Sequence, residues 1–272
     1  MPFARLLGER LLTTGGKVVA THEALKGASV VGLYFSASWC PPCRGFTPML
    51  AESFTKHLQP KGFRCVLISG DRSAQDFQDY FAPMPWLALP YEDRNRQSEL
   101  SAKYGVKSIP TLALLDEAGA TITTEARDEL PDDPEGKNFP WRPPLVRDLA
   151  LGKTGRLNEL PSVVCLCESV ADAAAQHQAL KDLTEVASAW QPARGPEGAY
   201  GYFVASAGPL AARIRELCGL PADGSPRLLL LDIPDEGAYY LGPEGEEALS
   251  PEAMRGLLQA YEVRKLERRQ FK

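Results

Sequence analysis

Two cysteines three residues apart, Cys40 and Cys43, stand in the segment Trp39-Cys40-Pro41-Pro42-Cys43. That spacing serves two chemistries: half of a tetrahedral zinc site, or a dithiol that exchanges with the disulfide of another molecule. Zinc needs two further Cys or His ligands, and the chain has no second Cys-x-x-Cys. Cys165 and Cys167 lie in the other half of the chain, and His57 falls near the end of the helix expected after the motif. The pair is therefore read as redox-active, with no metal. A strand that runs into Cys-x-x-Cys and then a helix puts the first sulfur at the helix amino end, where unpaired N–H groups and the dipole favour a thiolate. Thiols so placed have pKa values of roughly 3.5 to 7.5, against about 8.5 for a free thiol. Cys40 is the expected nucleophile. Cys43, about one turn on, is the expected resolving thiol, which attacks the mixed disulfide and releases the reduced target. Pro41 and Pro42 are tolerated in a first helical turn, where their missing N–H would have been unpaired. No bound cofactor is expected beyond this dithiol, and turnover requires an external electron donor.

The elements that must hold the pair surround it. Val30-Val31-Gly32-Leu33-Tyr34-Phe35 is a short apolar, aromatic-rich run of strand type that leads into the motif. The following helix carries Phe46, Leu50, Phe54 and Leu58 at every fourth position, and Pro48 predicts a kink near its start. Strand Phe63 to Ile68, helix Ala74 to Phe81, helix Ser98 to Tyr104 and strand Thr111 to Leu115 come next, giving a β-α-β-α-β order with a further turn and strand. Trp39 either packs in the core or forms the lip of a binding surface, and its place beside a nucleophile favours the lip. Ile109-Pro110 precedes the third strand, where an X-Pro bond is a candidate for cis geometry; the alternative is an ordinary trans proline at a strand start.

A chain of 272 residues, 44% apolar and 24% charged, exceeds the usual single domain and predicts two. Pro131, Pro134, Pro140, Pro143 and Pro144 crowd one stretch, so the boundary is placed near Leu157, giving units 1–157 and 158–272. Beyond it the pattern repeats. Strand Ser162 to Cys167, a helix with Leu180, Leu183, Ala187 and Trp190, strand Tyr200 to Ala205, helix Leu210 to Cys218, and strands Arg227 to Leu231 and Ala238 to Leu241 lead to a last helix capped by Ser250. Cys65 and Cys218 read as core residues, and Cys165 with Cys167 as packing, because neighbours two apart in a strand have poor disulfide geometry.

The net charge of −5 argues against general nucleic-acid binding. The one basic cluster, Arg264, Lys265, Arg268, Arg269 and Lys272, is read as closing the last helix, where cations complement the dipole; a nuclear address is the other reading. No apolar run approaches the ~20 residues of a membrane span. The first dozen residues read as a helix of the first domain, Glu9 arguing against a transit sequence. The expectation is a soluble cytoplasmic protein, with the nucleus as the other compartment, and nothing predicts more than a monomer.

These residues resemble the tryparedoxin and nucleoredoxin branch of the thioredoxin superfamily. The resemblance covers roughly residues 1 to 145. It rests on Trp-Cys-Pro-Pro-Cys-Arg at 39 to 44, Tyr34-Phe35-Ser36-Ala37, Gly45-Phe46-Thr47-Pro48, Met84-Pro85-Trp86-Leu87-Ala88, Ser108-Ile109-Pro110-Thr111, and Asp133-Pro134-Glu135-Gly136 followed by Phe139-Pro140-Trp141. The second half resembles the redox-silent carboxy-terminal domain of nucleoredoxins. The resemblance implies an α/β thioredoxin fold, a central mixed sheet flanked by helices, followed by a second thioredoxin-like domain without the cysteine pair. It also implies reduction of disulfide-containing protein clients, with an upstream reductase or a small thiol as donor. Trp39, Pro41, Pro42, Arg44, Ile109 and Pro110 would then face the client, and the backbone of Ile109 would pair with an extended segment like an added strand. Tyr34, with Ser36 beside it, stands where many thioredoxins carry a buried acid. Arg127 falls where tryparedoxins use a basic residue to meet glutathionylspermidine-type reductants. Ser69-Gly70-Asp71-Arg72 departs from the tryparedoxin pattern and fits nucleoredoxins better. Two other functions stand beside the reductase. One is a redox-controlled binding protein whose second domain recruits partners; the other is an isomerase or oxidase, which an intracellular setting disfavours.

Overall fold

The computed structural model describes residues 2–190, 199–222 and 225–272, and the chain divides into two compact units, Met1–Pro143 and Pro144–Lys272. The first unit is organised around one strand. β3 (Val30–Ser36) is buried along its whole length, so both of its faces are covered, which is why it reads as a continuous apolar run without alternation. It is parallel to β4 (Phe63–Ser69) on one edge and antiparallel to β6 (Thr111–Asp116) on the other. The short strands β1 (Arg10–Leu12), β2 (Val18–Ala20), β5 (Leu87–Ala88) and β7 (Thr121–Thr123) complete a sheet of order β2-β1-β5-β4-β3-β6-β7.

Helices cover both faces. The alternation of side chains along β3 sends Tyr34 into one core and Leu33 and Phe35 into the other. The first core takes Phe46 and Leu50 from α3 (Pro41–Ser53), Phe77 and Phe81 from α4 (Ala74–Phe81), and Ala126 from α6 (Ala126–Glu129). The second takes Phe3 and Leu7 from α1 (Pro2–Leu7), Ala24 from α2 (Thr21–Ala24), and Leu100 from α5 (Arg94–Lys103). α3 continues into a wide π-type turn over Phe54–Leu58, and the four-residue spacing of Phe46, Leu50, Phe54 and Leu58 keeps all four buried. Pro48 sits inside α3 on an exposed position.

Two features here differ from the sequence expectations. Only Pro2–Leu7 of the first dozen residues is helical; the chain turns at Gly8, with φ of 80°, into the β1–β2 hairpin, whose three-residue strands are too short to show a period. As expected, the proline-rich stretch belongs to the first unit up to Trp141. Trp141 is buried in the first core, and Phe139 stacks edge-on against both Phe63 (5.3 Å) and Trp141 (5.1 Å). Asp133 fixes the turn by accepting from the N–H groups of Lys137 and Asn138 and from Trp141 Nε1. The boundary expected near Leu157 therefore lies at Pro143, because β8 (Arg147–Asp148) pairs with a strand of the second unit.

In that unit β9 (Ser162–Leu166) is parallel to β10 (Gly201–Ala205) and antiparallel to β11 (Arg227–Asp232), the same relations that β3 has to β4 and β6. With β12 (Ala238–Glu244) and β13 (Arg269–Gln270) the order is β13-β12-β11-β9-β10-β8. Helices α7 (Ala173–Trp190), α8 (Pro209–Leu217) and α9 (Pro251–Glu262) pack on it. A thioredoxin-like mixed sheet is thus built twice. Ser250 caps α9, its Oγ accepting from Ala253 N–H at 3.2 Å. The basic cluster does not close that helix, which ends at Glu262. Arg268 instead holds Asp235 at 2.9 Å, and Arg269 lies in the edge strand β13 beside Glu267, so these cations fasten the tail to the sheet.

Gly32, at the middle of β3, lets Phe63 lie flat across the strand: a Cβ there would come within 2.6 Å of the Phe63 ring. Gly32→Ala is expected to destabilise the first unit by about 1–3 kcal/mol through overpacking, read as a lower midpoint in urea. The cysteines outside the motif supply a second prediction. Burial pushes the thiol of Cys218 up to about 12 and that of Cys65 higher still. Cys165 is also raised, first by its bond with Cys167 and then by burial. Folded thiols thus keep protons that the unfolded chain releases, so stability is fully present below the ordinary thiol value of about 9 and falls as pH rises from there towards 12. Unfolding midpoints measured between pH 8 and pH 11 check this.

Candidate redox site

Register decides what meets the cysteine pair. Ser36, the last residue of β3, lies opposite Ser69, the last of β4, and Phe35 lies opposite Thr111, the first residue of the antiparallel β6. The loops 37–40, 70–73 and 108–110 therefore converge at one end of the sheet, the end where α/β folds place their ligands. Cys40 is the N-cap of α3, with extended backbone, and its Sγ accepts from Cys43 N–H at 3.3 Å. Pro41 and Pro42 fill the first turn of that helix. Cys40 and Cys43 are joined as a disulfide, their Cα atoms 5.3 Å apart. Cys40 Sγ lies 3.6 Å from the carbonyl oxygen of Ile109, and the Ile109–Pro110 bond is cis.

Trp39 forms the lip, 49% exposed. Its Nε1 donates to Gly70 O at 3.0 Å, and the Arg72 guanidinium lies over its ring, 5.2 Å from the centroid. Pro41, Pro42 and Arg44 are exposed around the pair, Arg44 Nη1 donating to Ser38 O at 2.8 Å. Arg127 was expected with these residues. It lies in α6, paired with Asp128 at 2.7 Å, and among the described residues no contact joins it to the cysteines.

Two features escaped the sequence reading. The first is Asp71, a fully buried carboxylate. Its Oδ1 accepts from Ser38 N–H at 2.7 Å and its Oδ2 from Ser69 Oγ at 2.8 Å, while Asp71 N–H donates back to Ser69 Oγ. Asp71 thereby ties the β4 loop to the backbone two residues before Cys40. The only sequence signal is Ser69-Gly70-Asp71 at a strand end, which reads equally well as an ordinary turn.

The second is a set of hydroxyls in the wall of the first core. Tyr34 OH and Thr47 Oγ1 are 2.7 Å apart, Thr47 Oγ1 and Tyr80 OH 2.7 Å, Tyr80 OH and Ser36 Oγ 2.8 Å, and Ser36 Oγ and Tyr34 OH 3.0 Å. Thr47 Oγ1 also donates to Cys43 O at 2.8 Å. The four hydroxyls share five contacts but have only four protons, so one contact always lacks a hydrogen and the bonds can reverse direction. Burial raises the Tyr34 phenol well above its ordinary value, against the bonds from Ser36 and Thr47. The group stays neutral. It can pass a proton along by reorienting, but it cannot hold a charge as a buried carboxylate does.

The second unit lacks this chemistry at the corresponding place. β9 is followed by Cys167 and Glu168, and Glu168 is paired with the buried Arg215, whose Nη2 donates to Ser225 O at 2.8 Å. Pro226 precedes β11 as Pro110 precedes β6, and the cis bonds among the described residues are at Pro110 and Pro140.

A thioredoxin-like family model matches residues 27–121. Tryparedoxin of Trypanosoma brucei brucei is 53% identical over 132 residues, covering 48% of this chain and 90% of that protein. The chain belongs to the nucleoredoxin and tryparedoxin branch of the thioredoxin superfamily. A crystal structure of native tryparedoxin I from Crithidia fasciculata superposes with a TM-score of 0.50 at 42% identity, over 53% of this chain and 99% of that one. Human nucleoredoxin is 36% identical over 246 residues, covering 89% of this chain. That length exceeds the 143 residues of the first unit, so the nucleoredoxin likeness continues into the second. The chain spans little more than half (56%) of human nucleoredoxin.

The Asp71 bonds are testable. Asp71→Ala leaves Ser38 N–H and Ser69 Oγ without their buried partner and is expected to cost about 1–3 kcal/mol. Asp71→Asn, whose Oδ1 can still accept from Ser38, is expected to cost less. Urea unfolding of the two variants gives the order.

Proposed function

We propose that the chain is a thiol-disulfide oxidoreductase that reduces disulfides of protein clients, with Cys40 as attacking thiol and Cys43 as resolving thiol. The observation that carries this reading is the placement of Cys40 as the N-cap of α3, its sulfur accepting from Cys43 N–H and standing 3.6 Å from Ile109 O. A helix amino end stabilises the thiolate, and the neighbouring cysteine is already within bonding reach. In the reduced protein, Cys40 thiolate attacks one sulfur of the client disulfide, breaks that bond and expels the other sulfur as a thiolate. Cys43, deprotonated, then attacks Cys40 Sγ, which releases the first client sulfur and leaves the Cys40–Cys43 disulfide. Two electrons pass to the client, and its two thiolates take up protons. The proton leaving Cys43 has no carboxylate among the hydroxyls nearby, so it goes to the departing client thiolate or to water, with Thr47, Tyr34, Ser36 and Tyr80 as reorienting donors.

The oxidised protein must then be reduced from outside, by an upstream reductase or a small thiol. No helix among the described residues is long and apolar enough to cross a membrane, and the cytoplasm, with its reducing thiol pool, is the setting that favours net reduction.

The test is reduction of a protein disulfide with a chemical dithiol as electron source. Cys40→Ser is expected to abolish turnover. Pre-reduced Cys43→Ser, mixed with the client after the dithiol is removed, is expected to stop after the first exchange and to accumulate a mixed disulfide, seen as an adduct mass. Cys65→Ala is expected to retain the rate. A wild type no faster than the dithiol alone would overturn the proposal.

A further inference from the structure

The lip of the site carries positive charge. The molecule is acidic overall, at −5, yet the two residues immediately before Cys40 are each contacted by an exposed guanidinium. Arg44 donates to Ser38 O, and Arg72 lies over the Trp39 ring. Among the described residues neither arginine has a carboxylate partner. Elsewhere in this unit Arg96 is paired with Asp93 and Arg127 with Asp128, whereas Arg94 donates to Ser69 O and lies over the Tyr91 ring. The acid nearest in sequence, Asp71, has both oxygens turned inward onto Ser38 and Ser69. It offsets part of the local field but cannot cap either guanidinium.

Stacking also prepares Arg72 for recognition. The Trp39 ring is itself fixed by its bond to Gly70 O. A guanidinium lying on an aromatic face keeps its edge N–H groups directed outward, where they match a carboxylate in bidentate fashion, and stacking limits the side-chain entropy still to be lost. Ile109 O lies 3.6 Å from the Cys40 sulfur. A client whose cysteine reacts at Cys40 would bring the side chains beside it close to these arginines, which contact the two residues before Cys40.

We infer that Arg72 and Arg44 select, among disulfide-bearing protein clients, those with Asp or Glu beside the reacting cysteine. This inference rests on the oxidoreductase reading above and adds the chemistry of the partner. The attraction is between exposed charges, so it acts mainly on encounter and weakens with salt.

Three otherwise identical disulfide-linked peptides, with Glu, Ala or Lys flanking the cysteine, are reduced by the full-length protein at low and at high ionic strength. The readout is the ratio of kcat/KM for the Glu peptide to that for the Lys peptide, which is unaffected by any loss common to all three. The wild type is expected to favour Glu by roughly three- to tenfold at low salt, the scale of one or two exposed charge pairs. Arg72→Glu is expected to bring the ratio to one or below, Arg44→Glu to lower it, and high salt to flatten it. A wild-type ratio near one, or a ratio unmoved by both substitutions, overturns the inference and leaves the oxidoreductase reading intact. If none of the peptides is reduced faster than by the dithiol alone, both fall together.

Discussion

Everything at the site depends on β3 being closed off along its length. Both faces are covered and both edges are paired, to β4 and β6, so the chain beyond Ser36 can leave the sheet only at its end. Neighbouring loops are delivered to that same end by register. The parallel partner β4 terminates there, and the antiparallel partner β6 begins there. One buried strand therefore determines that a cysteine pair, the loop carrying Asp71 and Arg72, and a cis-proline turn meet, although they are separated by up to seventy positions in the chain. Gly32 contributes by the absence of a side chain, since the Phe63 ring occupies the space its Cβ would need.

Charge is distributed around the dithiol in layers. Beneath Cys43 the hydroxyls of Tyr34, Ser36, Thr47 and Tyr80 form a neutral set that orients itself but stores no charge. Beside it, the buried carboxylate of Asp71 has its two oxygens bonded to the Ser38 backbone and the Ser69 hydroxyl, so it serves the geometry of the loop. At the rim, two exposed guanidiniums touch the residues preceding Cys40, and a third, Arg94, donates to Ser69 O. A buried charge is costly unless its bonds are supplied, and here charge is either fully bonded inside or left in water at the lip.

The two units show what the shared sheet does and does not confer. β9 has the same neighbours as β3, in the same senses, and a helix follows both. At the strand end, however, the second unit places a Glu168–Arg215 pair, with Arg215 also bound to Ser225 O, where the first has a dithiol and a cis-proline. The sheet supplies a place for chemistry, and the residues at the strand end decide whether any occurs.

The cysteine pair, the aromatic lip and the proline before β6 were legible from sequence because each depends on neighbours in the chain: a helix start, an adjacent residue, an X-Pro bond. The long elements were legible for the same reason, since four-residue spacing in α3 and the apolar run of β3 are local patterns. The hairpin of β1 and β2 was not, because strands of three residues show no period and are made by pairing with distant partners. The same applies to the domain boundary. Proline density marks a change in local conformation, but Trp141 and Phe139 are bound to the first unit by packing against Phe63, and Arg147 belongs to the second through β10. Asp71, Thr47 and Tyr80 look like surface polar residues in a linear reading. Only the register of β4 beside β3 and the packing of α3 and α4 on the sheet give them buried partners. By itself, the sequence determined the cysteine pair and the helix that it caps, whereas tertiary structure decided which carboxylate, hydroxyls and arginines surround it, because those contacts run between strands and helices far apart in the chain.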